Sequence, residues 1–325
     1  MASKFKLRSF RGNGLLIHPR HCSRTRLTSA CQSAPGQFVV VLARGRHQGF
    51  RTFDGSAAAA AGERIVRRGG IVERHTMFET IPVTRPARWR RMQSIIRKWL
   101  RPLTAKDAFA PEELDRLEAE LPGRLPKALR EWYQFAGMAE DIWSYQDRLC
   151  LPFIDREVLV FCFENQSIWR IGVRLSDLGQ DDPPVFGWMN EGYSEPSEFG
   201  QLNASVSECA LQYLAWCLKW ANRSKIRRLL GIDHYEPYGF WKPATLSAIE
   251  RHCVRCAFPV WRLWGWDNIF YESQDLLIQV RHQNEAGSDS DLYVAVRTEA
   301  ALARFERMVR ETGFWWAPDG EWYTG

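Results

Sequence analysis

The chain lacks any stretch of about 18 consecutive apolar residues, so it contains no candidate membrane-spanning helix. The apolar run Gln37–Ala43 is short and follows several arginines and Pro35, which argues against a secretory leader. It also lacks the common signatures of catalysis: no Gly-rich phosphate loop, no nucleophile elbow and no His-Glu-x-x-His helix. A single Cys-x-x-Cys, Cys253 to Cys256 beside His252, has no second pair to complete a four-ligand zinc site. These absences favour a non-catalytic protein without a bound cofactor or metal. Basic residues are missing altogether between Leu175 and Leu218.

What is present is unevenly distributed. The net charge of +6 averages two unlike parts: residues 1–90 hold 17 Lys/Arg against 4 Asp/Glu, and the remainder 27 against 34. The first 90 residues are rich in Arg, Ser, Gly and Ala and show no periodicity able to bury a face, so they are expected to be disordered. Such a segment suits a nucleic-acid-binding arm or a targeting peptide. Alternatively, translation begins downstream, at Met77 or Met92. The rest contains most of the 15 Trp, enough for a sizeable core. Eight cysteines in mostly apolar or aromatic settings read as buried free thiols of a reducing cytoplasm.

Apolar spacing predicts an opening helix from Met92 to Leu100, and Leu114, Leu117 and Leu121 line one face of a second. Pro126 suits the first turn of a third, in which Leu129, Trp132, Tyr133 and Ala136 repeat the stripe and Gly137 is a candidate left-handed cap. Val158–Phe163 and Ile168–Val173 form a hairpin across Glu164-Asn165-Gln166-Ser167. Ser205-Val206-Ser207-Glu208 is a capping box opening a helix with Leu211, Leu214, Ala215 and Leu218 buried. The cations Arg223, Lys225, Arg227 and Arg228 follow near its end, where they complement the dipole. A helix from Thr245 to Ala257 would turn Ile249, Cys253 and Cys256 inward. Strands follow at Trp261–Trp264, Ile269–Tyr271, Leu276–Val280 and Leu292–Val296, with a polar turn at Asn284–Ser290. A closing helix over Ala300–Val309 stops at Gly313. Successive strands without helical crossovers predict an α+β class with mainly antiparallel pairing.

Leu125, Pro126, Leu129, Tyr133, Phe135 and Gly137, then Glu164, Asn165 and Gln166, then Asp182, Pro183, Pro184 and Val185 resemble in type and order the SUKH superfamily. That superfamily comprises bacterial toxin-immunity proteins and fungal cell-wall regulators. The resemblance runs from about Met92 to Gly313. It implies one enlarged domain over 91–325, a helix-flanked sheet running through both strand groups, although a split near Leu229–Pro243 would give two. It further implies a cytoplasmic immunity protein that binds a cognate secreted toxin, a basic nuclease for example, and neutralises it by occlusion. A regulatory interaction scaffold on the same fold is the alternative, and nucleic-acid binding through the Arg-rich arm ranks behind it.

The segment without Lys or Arg carries Asp181, Asp182, Glu191, Glu195 and Glu198 interleaved with Trp188 and Tyr193. Charge blocks are commonly solvated loops. In an immunity protein, however, an acidic, aromatic-bearing surface could enter a basic cleft, and those seven residues are the candidate partner-binding set.

Overall fold

Trp89, Met92, Ile95, Ile96 and Trp99 recur at three- and four-residue spacing and are all buried, on one face of a helix α1 spanning Arg85–Trp99. The computed structural model describes residues 76–143, 147–164, 169–189, 200–222, 227–228, 238–240, 243–263, 266–283, 291–310, 312 and 315–316. Folded structure thus begins ahead of residue 91. Met77 and Phe78 are already in the core, and the buried Glu272 carboxylate accepts from their backbone N–H groups at 2.7 and 2.6 Å. Burial raises the pKa of that carboxyl, and the amides it receives oppose the rise. The disorder expected for residues 1–90 therefore does not hold for 76–90, and the remainder of that segment lies outside the described residues.

Helix α2 (Pro111–Ala119) opens on a proline, and α3 (Lys127–Ala136) has Pro126 as its N-cap, one position earlier than expected. Five strands follow: β1 (Asp147–Asp155), β2 (Val158–Glu164), β3 (Trp169–Arg174), β4 (Val185–Met189) and β5 (Gly200–Asn203). They pair in sequence order as an antiparallel meander. The β2–β3 hairpin is as expected, and its turn, 165–168, lies outside the described residues. Helix α4 (Val206–Ala221) comes next, its N-terminus capped by Ser205 Oγ, which accepts from Glu208 N–H.

The second half contains β6 (Tyr238–Phe240), α5 (Pro243–His252), β7 (Val254–Arg255), β8 (Trp261–Leu263), β9 (Trp266–Ser273), β10 (Leu276–Gln283), β11 (Asp291–Val296), α6 (Glu299–Arg310) and β12 (Trp315–Trp316). Its antiparallel sheet runs β12-β6-β11-β10-β9-β7, with β8 on β9. The class is α+β, with two antiparallel sheets and six helices among the described residues. A single sheet through both strand groups is not what forms. Helix α4, buried on almost every side, packs on β5 of the first sheet and on β10 and β11 of the second, so the halves meet through side chains. One apolar cluster nevertheless spans both, from Trp132 and Phe161 to Trp261, Phe270 and Leu277. The expected helix through Ala257 ends at His252, because Cys256 N–H donates to the Phe270 carbonyl and Val254–Arg255 pair with β9. Cys253 and Cys256 remain buried.

The link from α1 to α2 is tied to the end of α3. Phe109 N–H donates to the Tyr133 carbonyl and Met138 N–H to the Asp107 carbonyl. The buried Asp107 carboxylate takes hydrogen bonds from Arg101 at 2.6 and 2.9 Å and from Thr104 N–H at 2.7 Å. Arg101 first, and Thr104 after it, hold this carboxyl well below the usual carboxylate range. Gly137 is right-handed, at φ −60°, so it is not a left-handed cap. It is glycine for space: a Cβ there would lie 2.5 Å from Phe109 and 2.7 Å from Tyr133.

Gly137→Ala should therefore destabilise the fold by about 1–3 kcal/mol, visible as a Tm several degrees lower. Because the folded state depresses the Asp107 pKa, its contribution is present at neutral pH and fades as pH falls below about 4. Asp107→Asn should lower Tm at pH 7 and flatten the loss of stability between about pH 4 and 2, measured by denaturant titration across that range.

Candidate functional site

The adjacent acids Asp181 and Asp182 sit where three helices converge. The Asp181 carbonyl accepts from Ala128 N–H at 2.8 Å in the first turn of α3. Asp182 caps α4: its carboxylate accepts from Ser207 N–H at 2.9 Å and Ser207 Oγ at 2.5 Å. Helix α1 supplies the cations. Arg88 donates to Ser205 and Ser207 and lies 3.6 Å from Asp182, while Arg85 is 2.9 Å from Glu131 and 3.4 Å from Asp181. Unsatisfied N–H groups and positive dipole ends at the helix starts explain why carboxyl and carbonyl oxygens collect here.

Of the three expected partner-binding residues that the structure describes, only Asp181 presents an exposed side chain, at 71%. Asp182 is committed to α4 and Arg88. Trp188, only 4% exposed, packs with Val158 and Val160, as strand alternation on β4 directs it. The Asp182 carboxylate is thus bonded within the fold, and Trp188 is buried on the face of the meander opposite the helix-packed core, so neither presents the exposed side chain expected of it. Glu191, Tyr193, Glu195 and Glu198 lie outside the described residues. So do Arg223 and Lys225 of the basic patch; Arg228 is exposed.

Nothing in the expected set included β1, where Leu151, Phe153 and Ile154 are 50%, 39% and 43% exposed. Among the described residues β1 pairs only with β2, so its outer edge carries backbone donors and acceptors beside a short apolar run. Phe153 is steadied by Phe163 on β2, ring centroids 6.0 Å apart. The run Leu149-Cys150-Leu151-Pro152-Phe153-Ile154 held the signal. Pro152 argues against a central strand but is compatible with an edge, and the β1–β2 register shifts between Leu149 and Phe153.

Burial raises the Cys253 thiol pKa to about 11, and that of Cys256 well above the ordinary value. Thiols held neutral in this way are poor nucleophiles and poor ligands. Among the described residues no three His, Cys, Asp or Glu side chains gather where a metal could sit, and no helix is long and apolar enough to cross a membrane.

Asp182→Ala is expected to cost about 1–2 kcal/mol through the lost cap and to lower Tm by several degrees. Asp181→Ala should change Tm little, because its side chain is largely solvated and its structural bond is made by the backbone. Parallel calorimetry of the two variants separates the roles. No family model, curated protein or solved structure matches the chain.

Proposed function

We propose that the chain is an immunity protein of the SUKH kind, one that binds a cognate toxin and neutralises it by occlusion. The observation that carries the reading is the outer edge of β1, which pairs with no strand among the described residues. Three exposed apolar side chains lie there within four residues, on a strand whose inner edge is fixed by β2. An ordered edge of this type accepts a further strand: main-chain hydrogen bonds supply affinity and the side chains supply selectivity. Large apolar side chains beside unpaired backbone polar groups are costly to leave open unless a partner covers them.

The resemblance supports the same reading. Leu125 just ahead of α3 and Leu129 and Tyr133 on it share one core with Phe161 of β2, Ile171 of β3 and Val185, the residue closing the Asp-Asp-Pro-Pro-Val run. Helices on an antiparallel meander form a rigid body suited to presenting a surface. Neutralisation by occlusion then requires affinity and shape, with no group tuned for proton transfer.

Bacteria expressing the toxin encoded beside this gene should survive when the chain is co-expressed. L151K/I154K should weaken toxin binding by roughly tenfold or more, as expected for loss of apolar anchors, with Tm nearly unchanged because both positions are exposed. Isothermal titration with the purified toxin domain and colony counts read the two effects. Failure of the wild-type chain to protect refutes neutralisation, whereas full protection by the variant refutes β1 as the surface.

A further inference from the structure

Helix α1 carries six cationic side chains, and the structure disposes of four. Arg85 and Arg88 pair with acids at the α3–α4 junction, Arg91 donates to the Met77 and Thr80 carbonyls, and Lys98 lies 3.9 Å from Asp275. Arg90 and Arg97 make no hydrogen bond or ion pair with any described residue and are exposed. Both line the same groove, a cavity of about 660 Å³ between α1, the segment Pro102–Ala108 and the end of α3.

The chemistry of the groove is one-sided. Gln93 and Ser94 stand between the arginines at helical spacing, and Gln134 faces them from α3. Leu103 and Phe135 give it apolar surface. No acidic residue lines it, although the chain beyond residue 90 has more acids than bases. Its far wall is built in advance, since Arg101 joins Asp107 and Asp141 and Asp107 holds Thr104. Arg101 is thereby consumed in shaping the groove, leaving Arg90 and Arg97 for a ligand.

We infer that this groove binds an extended acidic segment of a partner protein, with two carboxylates on Arg90 and Arg97 and an apolar side chain between them on Leu103 and Phe135. Seven helical residues separate the arginines by about 10 Å along the axis. An extended peptide covers that distance in about three residues, so the segment has acids three or four positions apart. A phosphate is the poorer fit. Compact phosphates favour helix N-termini and bundled backbone N–H groups, whereas Arg97 and Phe135 occupy the last turns of α1 and α3, at negative dipole ends. Separate guanidinium groups suit separate carboxylates. The inference stands whether or not the chain neutralises a toxin.

Panning a random nonapeptide phage library on the full chain tests it. Selected peptides should share two Asp or Glu residues three or four positions apart with an apolar residue between. As synthetic labelled peptides they should bind R90E/R97E at least tenfold more weakly in fluorescence anisotropy, and bind the wild-type chain more weakly as salt rises. The Tm of R90E/R97E should stay within a few degrees of wild type, because both arginines are exposed and pair with no described residue, and only the favourable placement of Arg97 at the end of the α1 dipole is lost. Selection of no peptide, selection of peptides without the acidic pair, or equal binding to R90E/R97E would each overturn the inference. So would ATP or pyrophosphate binding at the arginines and displacing the selected peptides at lower concentration than a diglutamate peptide does.

Discussion

A line of buried amide side chains holds the two sheets to one helix. Gln212 on α4 donates to the Pro259 carbonyl and accepts from Asn203 at the end of β5, at 2.8 and 2.9 Å. Asn203 in turn accepts from the Trp261 indole on β8 at 2.8 Å. Asn268 on β9 donates to the Trp261 carbonyl and accepts from Gln279 on β10, which accepts from Lys219 near the end of α4 at 2.5 Å. All six residues are buried. Apolar surfaces tolerate small slips, but a buried amide that loses its partner costs about 1–3 kcal/mol. The network therefore fixes both the rotation of α4 and its height against each sheet. Lys219 completes it, its ammonium 4.0 Å from the Trp216 ring and 4.1 Å from the Tyr293 ring, so burial of the charge is offset by aromatic faces as well as by Gln279.

With α4 fixed, much of the remaining polar chemistry is structural. The paired acids at 181–182 organise the starts of α3 and α4, and Glu272 gathers the backbone of Met77 and Phe78 onto β9. Arg101 and Asp107 brace the loop between the first two helices. Each pairing removes an ionic group from the set available to a partner. Among what is left over are the apolar edge of β1 and two arginines on the groove face of α1.

The parts that were legible in the sequence are those where one side of an element is buried and the other is not. Helix α3, the β2–β3 hairpin, the Ser205 cap and strands β8 to β11 follow from periodicity and turn chemistry. Helix α4 was legible through its cap and leucine spacing, but its near-complete burial was not, because Gln212 and Lys219 read as exposed positions until the network that holds them is known. Strand β1 was hidden by Pro152, whose lack of an N–H counts against a strand only when both edges are paired. The start of α1 was hidden by arginines flanking Trp89. Separation into two sheets depends on side chains more than fifty residues apart, such as Asn203 and Trp261, which no local pattern encodes.

The residues that carry the superfamily resemblance and the residues proposed to bind overlap only at Phe135, which is half-buried on α3 and lines the groove. Leu125, Leu129, Tyr133 and Val185 are core, Gly137 makes room for Phe109 and Tyr133, and Asp182 is a helix cap. A pattern made largely of packing residues can report a fold but is silent about partner identity, because the members that fill the core do not reach the surface. Specificity then has to reside where packing imposes no requirement, at positions such as Leu151, Ile154, Arg90 and Arg97. Related chains could exchange these side chains at little cost in stability, changing partner while keeping the same core.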